Sequence, residues 1–596
     1  MVVAHVHYPE LWPDIDDRLA RMPEEFDLVV TITEGEAESV IPNILRRHPH
    51  AHLEVCKNKG RDWAPLVELA NKGLLSGYDA VAKVHTKKSE HRIDGDGWRL
   101  ALLDGIFESP EQIRRTVDLL REDRSVGLVV PTSQVAGVEH WGSNRPLVEA
   151  LAFRMQMAFE PDDLQFPAGS MFWCRPWLLE RMADLCLDGA DFEPEGGQYD
   201  ATTAHALERL IGIFSSVAGM DIVEAMDVKT RLATVRRSSP ARPKTLAFYL
   251  PQFHCTPEND EFWGAGFTDW VNVRKAKPLF PSHRQPILPN YTTGFYDLAD
   301  PEVLRTQAEL AKRYSLDGFI FHYYWFNGRE VLKTPLENWL GDRSIELPLA
   351  LCWANEPWTR RWDGLDGETL IPQDLTSGWE SRFIESVAPF MRDTRYIQVQ
   401  GKPLLLIYRV DLISDFAKSA SMLRAQAIEQ GLSGLHILVV QPSRDFGSLK
   451  SVALEASDGL VSFPPGSGVR LEHFSRLPAL ADNHRDDQFI SYDSAARLST
   501  IEGLGNAGKP VHPTIIPGWD NTARRGGDSY AFVGSNPVTF RQWAYRAAAA
   551  PAVRNSGLLF VNAWNEWAEG AVLEPSERFG DGMLAALKDS QLADES

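Results

Sequence analysis

Two glutamates three residues apart, Glu566 and Glu569, stand in the segment NAWNEWAEG (562–570). On a helical turn the spacing i, i+3 brings two side chains onto one face, with Cβ atoms roughly 5–6 Å apart. Chemistry at a glycosidic bond needs two carboxyl groups beside one bond, one of them protonated. Two acids in an aromatic pocket acquire that difference physically, because burial and like-charge repulsion raise one pKa and leave the other group ionised. A lone ExxE better suits a solvated helix start, where acids favour the dipole. Here the pair follows an apolar run and lies among tryptophans, which favours a chemical role.

Similar residues end or follow other apolar runs. Tyr249, Gln252 and His254 stand at and after run 245–249, and His322 and Tyr323 at the end of run 318–322. Trp353, Asn355 and Glu356 follow run 348–353, Tyr408 ends run 403–408, and Gln441 ends run 436–441. Trp519 and Asp520 follow run 512–517; Asn562 and Trp564 lead from run 557–562 into the glutamates. Sugars offer flat C–H faces and dense hydroxyls. Aromatic rings pack on the faces, and carboxylates, amides and imidazoles bond the hydroxyls. Protein-binding patches are aromatic too, but they lack convergent carboxylates. These residues are therefore expected to bind substrate around Glu566 and Glu569.

Such residues converge only if the runs are strands of one sheet. With run 459–463 there are eight, and between them lie stretches such as PEVLRTQAELAKRY whose apolar positions recur at three and four residues. Continuous apolar runs alternating with amphipathic helices predict parallel strands, and eight of them predict a (β/α)8 TIM barrel over 245–596. Catalytic residues of such a barrel sit at the carboxyl ends of its strands.

Residues 1–227 alternate as well, with apolar runs at 2–6, 28–33, 52–56, 80–84, 126–131 and 170–174. They predict an α/β sandwich of nucleotide-binding type. No GxGxxG or GxxxxGK[ST] follows any run, so dinucleotide and P-loop chemistry are not signalled. Residues 228–244 hold six bases and no acid, which predicts a basic linker, either a solvated tether or a contact for an anionic lipid or glycan carrier.

Three segments of the first domain could grip a ligand. Asn58, Gly60, Arg61 and Asp62 lie in NKGRD, and His85, Lys87 and Lys88 in KVHTKKS. Gly169 and Ser170 lie in FPAGSMFW, and Asp200 and His205 follow. Basic side chains at a strand end neutralise a diphosphate, and a Gly-Ser turn lets backbone approach a ligand.

Composition excludes several classes. The 596 residues are 44% hydrophobic and 24% charged, which is ordinary for a folded chain and not for a disordered one. No apolar stretch is long enough for a membrane span, and the start lacks a secretory pattern. Five scattered cysteines without a CxxC suit reduced thiols and a cytoplasmic setting. A net charge of -21 argues against nucleic acid as a partner.

The second domain resembles the WbsX-like proteins of bacterial surface-polysaccharide clusters, and through them the endo-α-mannosidases of glycoside hydrolase family ninety-nine. The motifs are AFYLPQFH, FWGAGFTDW, GFIFHYYWF, LCWANEPWTRRWDG, PGWDNTARR and NAWNEWAEG. The resemblance implies that Glu566 is a base acting on the substrate's own 2-hydroxyl and Glu569 the acid for the leaving oxygen, with anomeric retention and no protein nucleophile. It leaves hydrolysis and transfer both open. Residues 5–211 resemble the rhamnan-synthesis (RgpF-like) family, on NKGRD, KVHTKKS, FPAGSMFW and HALER. That resemblance implies a nucleotide-sugar-transferase-like fold and glycosyl transfer. Where that fold usually carries a metal-binding Asp-x-Asp, this chain has His85-Thr86-Lys87; Asp94-Gly95-Asp96 stands in poor strand context. No cofactor is firmly implied, and Lys87 and Lys88 could replace a divalent metal.

The expected whole is an enzyme of O-antigen or rhamnan assembly in lipopolysaccharide-type polymers. Its partners are a nucleotide-sugar donor and an oligosaccharide or lipid-linked glycan, with contact at the inner membrane surface. The alternatives are a glycan-trimming endo-glycosidase with an N-terminal binding module, and a non-catalytic polysaccharide-binding protein.

Overall fold

The computed structural model describes the chain except for 87, 89–94, 199, 239–241, 281–282, 361–364, 443–450, 470–488, 500–507, 526–528 and 592–596. For 237–238, 360, 365–368 and 451–453 it describes the backbone alone. Two compact units divide between Ser239 and Pro240.

The first unit is built on a seven-stranded sheet. Its order is His52–Cys56, Leu28–Thr33, Val2–Val6, Val81–His85, Phe172–Cys174, Val126–Val130, Asp221–Glu224. Neighbours run parallel, except that Phe172–Cys174 is antiparallel to both strands beside it. Val2–Val6, Val81–His85 and Val126–Val130 are buried throughout, as parallel strands covered on both faces must be. The chain first builds outward from Val2–Val6 to one side and then crosses to the other. The carboxyl ends of Val2–Val6 and Val81–His85 therefore flank a topological switch point, where open α/β sheets form a crevice. The edge strand Asp221–Glu224 was not expected: it is short, half exposed and bounded by acids.

The expected linker 228–244 is corrected. Most of it is the helix Val228–Ser238, which belongs to the first unit. Arg231 bonds Asp123 at 2.6 Å and Asp221 at 2.9 Å, and Arg236 bonds Glu122 at 2.8 Å and Asp118 at 3.0 Å. The basic run answers acids on its own unit, which holds it as a helix rather than a tether. At Lys244 the first strand of the second unit already begins.

The second unit is the expected barrel. Its parallel strands follow chain order: Lys244–Tyr249, Gly318–Phe326, Leu349–Trp353, Lys402–Ile407, His436–Gln441 and Gly459–Ser462, then a run at 511–515, then Leu558–Val561. The seventh position is two short pieces around Pro513. Val511–His512 pairs with the sixth strand and Thr514–Ile515 with the eighth, which pairs back to the first. Proline has no N–H to give a ladder, so the strand divides there without opening the circle. Outside pack helices such as Pro301–Arg313, Trp379–Met391 and Pro537–Ala549. The first of these begins with proline at its first turn, and Asp300 accepts from the N–H of Glu302 as its cap. Among the described residues no helix is long and apolar enough to cross a membrane.

Candidate active site

Glu566 and Glu569 lie at the carboxyl end of the eighth barrel strand, in a hairpin rather than on a helix. Asn565 and Glu566 pair antiparallel with Val572 and Ala571, and Trp567–Glu569 forms a 3-10 turn between them. Gly570 closes the turn at φ 65°, and a Cβ there would meet the Asp520 nitrogen at 2.9 Å, so only glycine fits. Asn565 fixes the hairpin to the first strand: its Oδ1 accepts from the Leu250 N–H at 2.8 Å and its Nδ2 donates to the Leu250 carbonyl at 3.0 Å. Asp520 fixes it to the seventh. Its N–H donates to the Glu569 carbonyl at 2.6 Å, while its carboxylate meets His283 Nε2 at 2.8 Å and Thr522 Oγ1 at 2.6 Å.

The charge that organises the pair is Arg524, in the short helix Thr522–Arg525 after the seventh strand. Its guanidinium lies 2.7 Å from Glu569 Oε1, 3.2 Å from Glu566 Oε2 and 2.5 Å from Asp269 Oδ2. Glu566 is buried, and that burial, opposed by Arg524 and reinforced by Glu569 and Asp269, pushes its carboxyl up to about 8. Arg524 and Asp269 are not among the residues expected from the sequence. They sit inside PGWDNTARR and FWGAGFTDW, but neither directly ends an apolar run, so a search of strand ends passes over them.

Along strand Gly318–Phe326 burial alternates, and this sorts the expected residues. His322 and Tyr324 are partly open; Tyr323 and Trp325 are closed. His322 stacks on Phe248 and meets Tyr408 edge-on, and burial lowers its pKa to about 4. Tyr324, the neighbour of Tyr323, lies near Glu566: Gln252 Nε2 donates to its hydroxyl at 3.1 Å, and burial with the nearby Glu566 raises its pKa. Tyr408 and Tyr530 stand near Glu569, and burial raises both phenols. Trp519 is half-buried, with its ring 5.9 Å from that of Tyr530.

Other expected residues do not meet the glutamates. Tyr323 packs on Phe383 and Phe390 of the outer helix Trp379–Met391, and Trp353 on Trp379 and Phe383. Tyr249 donates to Gln307 at 2.6 Å on helix Pro301–Arg313, and Trp564 packs on Phe319. The pleat turns Tyr249, Tyr323 and Trp353 into the layer between barrel and helices, since successive strand residues face opposite ways. Asn355 clamps the backbone of Arg409 at 2.7 and 2.8 Å, and Arg409 pairs with Glu356 near Tyr408. Asn562 donates to the Pro464 carbonyl at 2.9 Å, the Gln441 carbonyl accepts from Ser467, and buried His254 has a lowered pKa. Beneath the hairpin lies a second unexpected acid, Glu574. Tyr296 and Gln307 donate to it at 2.6 Å and Trp567 at 2.8 Å; burial pushes it up to about 7.

In the first unit, Asp62, His85, Gly169 and Ser170 come together around Lys83. Asp62 pairs with the buried Lys83 and lies 3.9 Å from His85; burial works against its charge, but His85 and Lys83 hold the carboxyl well below the usual range. Lys83 also donates to the Ser170 carbonyl at 2.9 Å, and His85 Nε2 lies 3.0 Å from that of Gly169. Thr86 Oγ1 accepts from the N–H groups of His7 and Tyr8 at 2.9 and 3.0 Å, which shapes the end of the first strand. Lys88 pairs with Glu10 and lies 4.4 Å over the Tyr8 ring. Gly60 is required because a Cβ would come 2.5 Å from the Phe192 ring. Arg61 lies 3.0 Å from His205, whose pKa burial and Arg61 lower to about 4. Asp200 instead ties a loop, accepting from the Ser143 N–H at 2.6 Å and from Asn144. Asn58 is exposed, and Lys87 and Asp94 lie outside the described residues. No group of three or more metal-type ligands occurs among the described residues.

Fold and site together define the class: an open α/β sheet unit fused to a closed (β/α)8 barrel, with an arginine-bound trio of carboxylates at the carboxyl ends of its strands. Residues 245–587 match the family model described as glycosyltransferase WbsX, and the chain belongs to that family. Residues 1–219 match the model for rhamnan synthesis protein F. The protein WxcX of Xanthomonas campestris pv. campestris, in strains B100 and ATCC 33913, is 37% identical over 424 residues, covering 70% of this chain and 56% of the relative. The chain thus spans about half the length of the curated relatives it matches. Solved structures similar to it include the following two. A glycoside hydrolase-like protein has 17% identity and a TM-score of 0.39, covering 59% of this chain and 95% of its own. The family ninety-nine endo-α-mannosidase of Bacteroides thetaiotaomicron has 14% identity and a TM-score of 0.36, covering 58% and 95%.

Proposed function

We propose that the chain is a carbohydrate-active enzyme of bacterial cell-surface polysaccharide assembly, with the barrel acting on a glycosidic bond through Glu566 and Glu569. The observation that carries this reading is the shared contact of both carboxyl groups with Arg524 at the carboxyl end of the barrel. In it, one glutamate takes the proton of the substrate's 2-hydroxyl as that oxygen displaces the leaving oxygen, which the other glutamate protonates, giving a 1,2-anhydro sugar. Water or an acceptor hydroxyl then attacks the anomeric carbon, passing its proton to the second glutamate while the first returns its proton to the 2-oxygen, and the two inversions retain the anomeric configuration. Tyr324, Tyr408 and Trp519 offer ring faces and hydroxyls for the sugar beside them.

The family resemblance makes Glu566 the base and Glu569 the acid. A second reading reverses the two, and the deeper burial of Glu566 favours it, since a carboxyl held up to about 8 rests as the proton donor. The test compares Glu566→Gln and Glu569→Gln on glycans with poor and activated leaving groups. Loss of the acid is masked by an activated leaving group and loss of the base is not. Full activity of both variants would remove the reading altogether.

The first unit, in the same reading, takes a nucleotide-sugar donor in the crevice between His7, Tyr8, Thr86 and Lys88, without a metal. A lipid-linked or free oligosaccharide is the acceptor, and contact with the membrane surface follows from a lipid-linked one. Binding of nucleotide sugars to the full chain by calorimetry tests it; absence of binding would leave that unit as a glycan-recognition module.

A further inference from the structure

Arg524 faces three carboxylates and divides itself unequally among them. Asp269 takes two of its nitrogens, Nη2 at 2.5 Å and Nε at 3.4 Å. Nη2 also reaches Glu566 at 3.2 Å, and Nη1 reaches Glu569 at 2.7 Å. Asp269 is itself held: it precedes helix Trp270–Lys275, Asn272 Nδ2 donates to its Oδ1 at 3.0 Å, and its side chain is 0% exposed. Among the described residues, the other titratable groups placed beside the pair are neutral phenols. Tyr324 stands beside Glu566, and Tyr408 and Tyr530 beside Glu569, each phenol raised by burial. Beyond Tyr408, Glu356 is paired with Arg409, and Arg525 beyond Tyr530 is exposed.

Three ionised carboxylates against one guanidinium would leave two uncompensated negative charges in a buried place, which costs more than retaining a proton. Were Asp269 absent, Arg524 could compensate one glutamate fully, and the pair would release its proton more easily. We propose that Asp269 is a positioning residue that anchors Arg524 and cancels its charge, so that Arg524 orients Glu566 and Glu569 while the pair keeps one proton. The proposal rests on the acid–base reading of the pair, and it adds the residue that sets the pair's protonation.

The test titrates the pair in the full-length protein without glycan. Infrared difference spectroscopy follows the protonated carboxyl band, assigned by its change in Glu566→Gln and Glu569→Gln. In Asp269→Asn the apparent pKa should fall by about one pH unit or more, and the basic limb of kcat/KM should move with it. In the double variant Asp269→Asn/Arg524→Met the titration should return to the wild-type value or above, which repair of packing alone would not produce. An unmoved titration in folded Asp269→Asn, or no return in the double variant, overturns the proposal. Should Asp269→Asn fail to fold, Arg524→Met alone should raise the pKa, and an unmoved value there overturns it as well. If the titrations behave as stated but no glycan is turned over, the acid–base reading fails and the role of Asp269 stands.

Discussion

The N–H of Asp520 donates to the carbonyl of Glu569 at 2.6 Å, so the loop after the seventh barrel strand holds the turn that carries the glutamate pair. The contact is as close as it is because Gly570 has no side chain. Gly570→Ala should therefore displace the turn, costing about 2 kcal/mol or more of stability and most of the turnover, with glycan binding less affected. Thermal melting and kcat against KM measure the two effects separately. A melt and kcat equal to wild type would show that the turn can move without consequence.

Tyr323 and Tyr324 are neighbours with opposite surroundings. Tyr324→Phe should lower kcat about tenfold or more with an unchanged melt, since its hydroxyl accepts from Gln252 and lies within the field of Glu566. Tyr323→Ala should destabilise by about 3–5 kcal/mol, since its ring is packed under an outer helix. The reverse pattern would mean the strand alternation has been misassigned.

Two buried glutamates tie barrel stability to pH. Glu566 is held up to about 8 and Glu574 up to about 7, both above the ordinary 4.5. A carboxyl raised in the folded state gives stability that is fully present below its unfolded pKa. That stability is lost as pH rises through the folded value. Buried imidazoles such as His322 and His512, both lowered to about 4, work the other way up to about pH 6.5. The melting temperature should thus decline from about pH 6.5 to about pH 8, and the slope should flatten in Glu574→Gln. Melts across that range check it, and an equal slope in the variant would place the titration elsewhere.

In the first unit, Thr86→Val removes the oxygen that accepts two backbone N–H groups at the end of the first strand. Nucleotide-sugar affinity should fall about tenfold, while Asp200→Ala, which loosens a loop, should change stability more than affinity. Calorimetry with both variants decides, and unchanged affinity in Thr86→Val would move the donor site away from the switch point.

The architecture of the barrel was legible in the chain because buried parallel strands are continuous apolar runs, and all eight coincide with barrel strands to within a few residues. The placement of Glu566 and Glu569 after the eighth was legible for the same reason. The first unit was less so: its edge strand Asp221–Glu224 is short and polar, and its basic run is a helix because acids on a partner helix face it. Which strand-end residues face inward was not legible, since a shift of one position reverses a pleated strand, and thus Tyr324 stands where Tyr323 was expected. Nor was the trio around Arg524, from which Asp269 lies 255 residues away in sequence and Glu566 lies 42. Local pattern determines which elements form and roughly where their ends lie. Only closure of the barrel brings distant loops together, and with them the charges that decide which carboxyl keeps its proton.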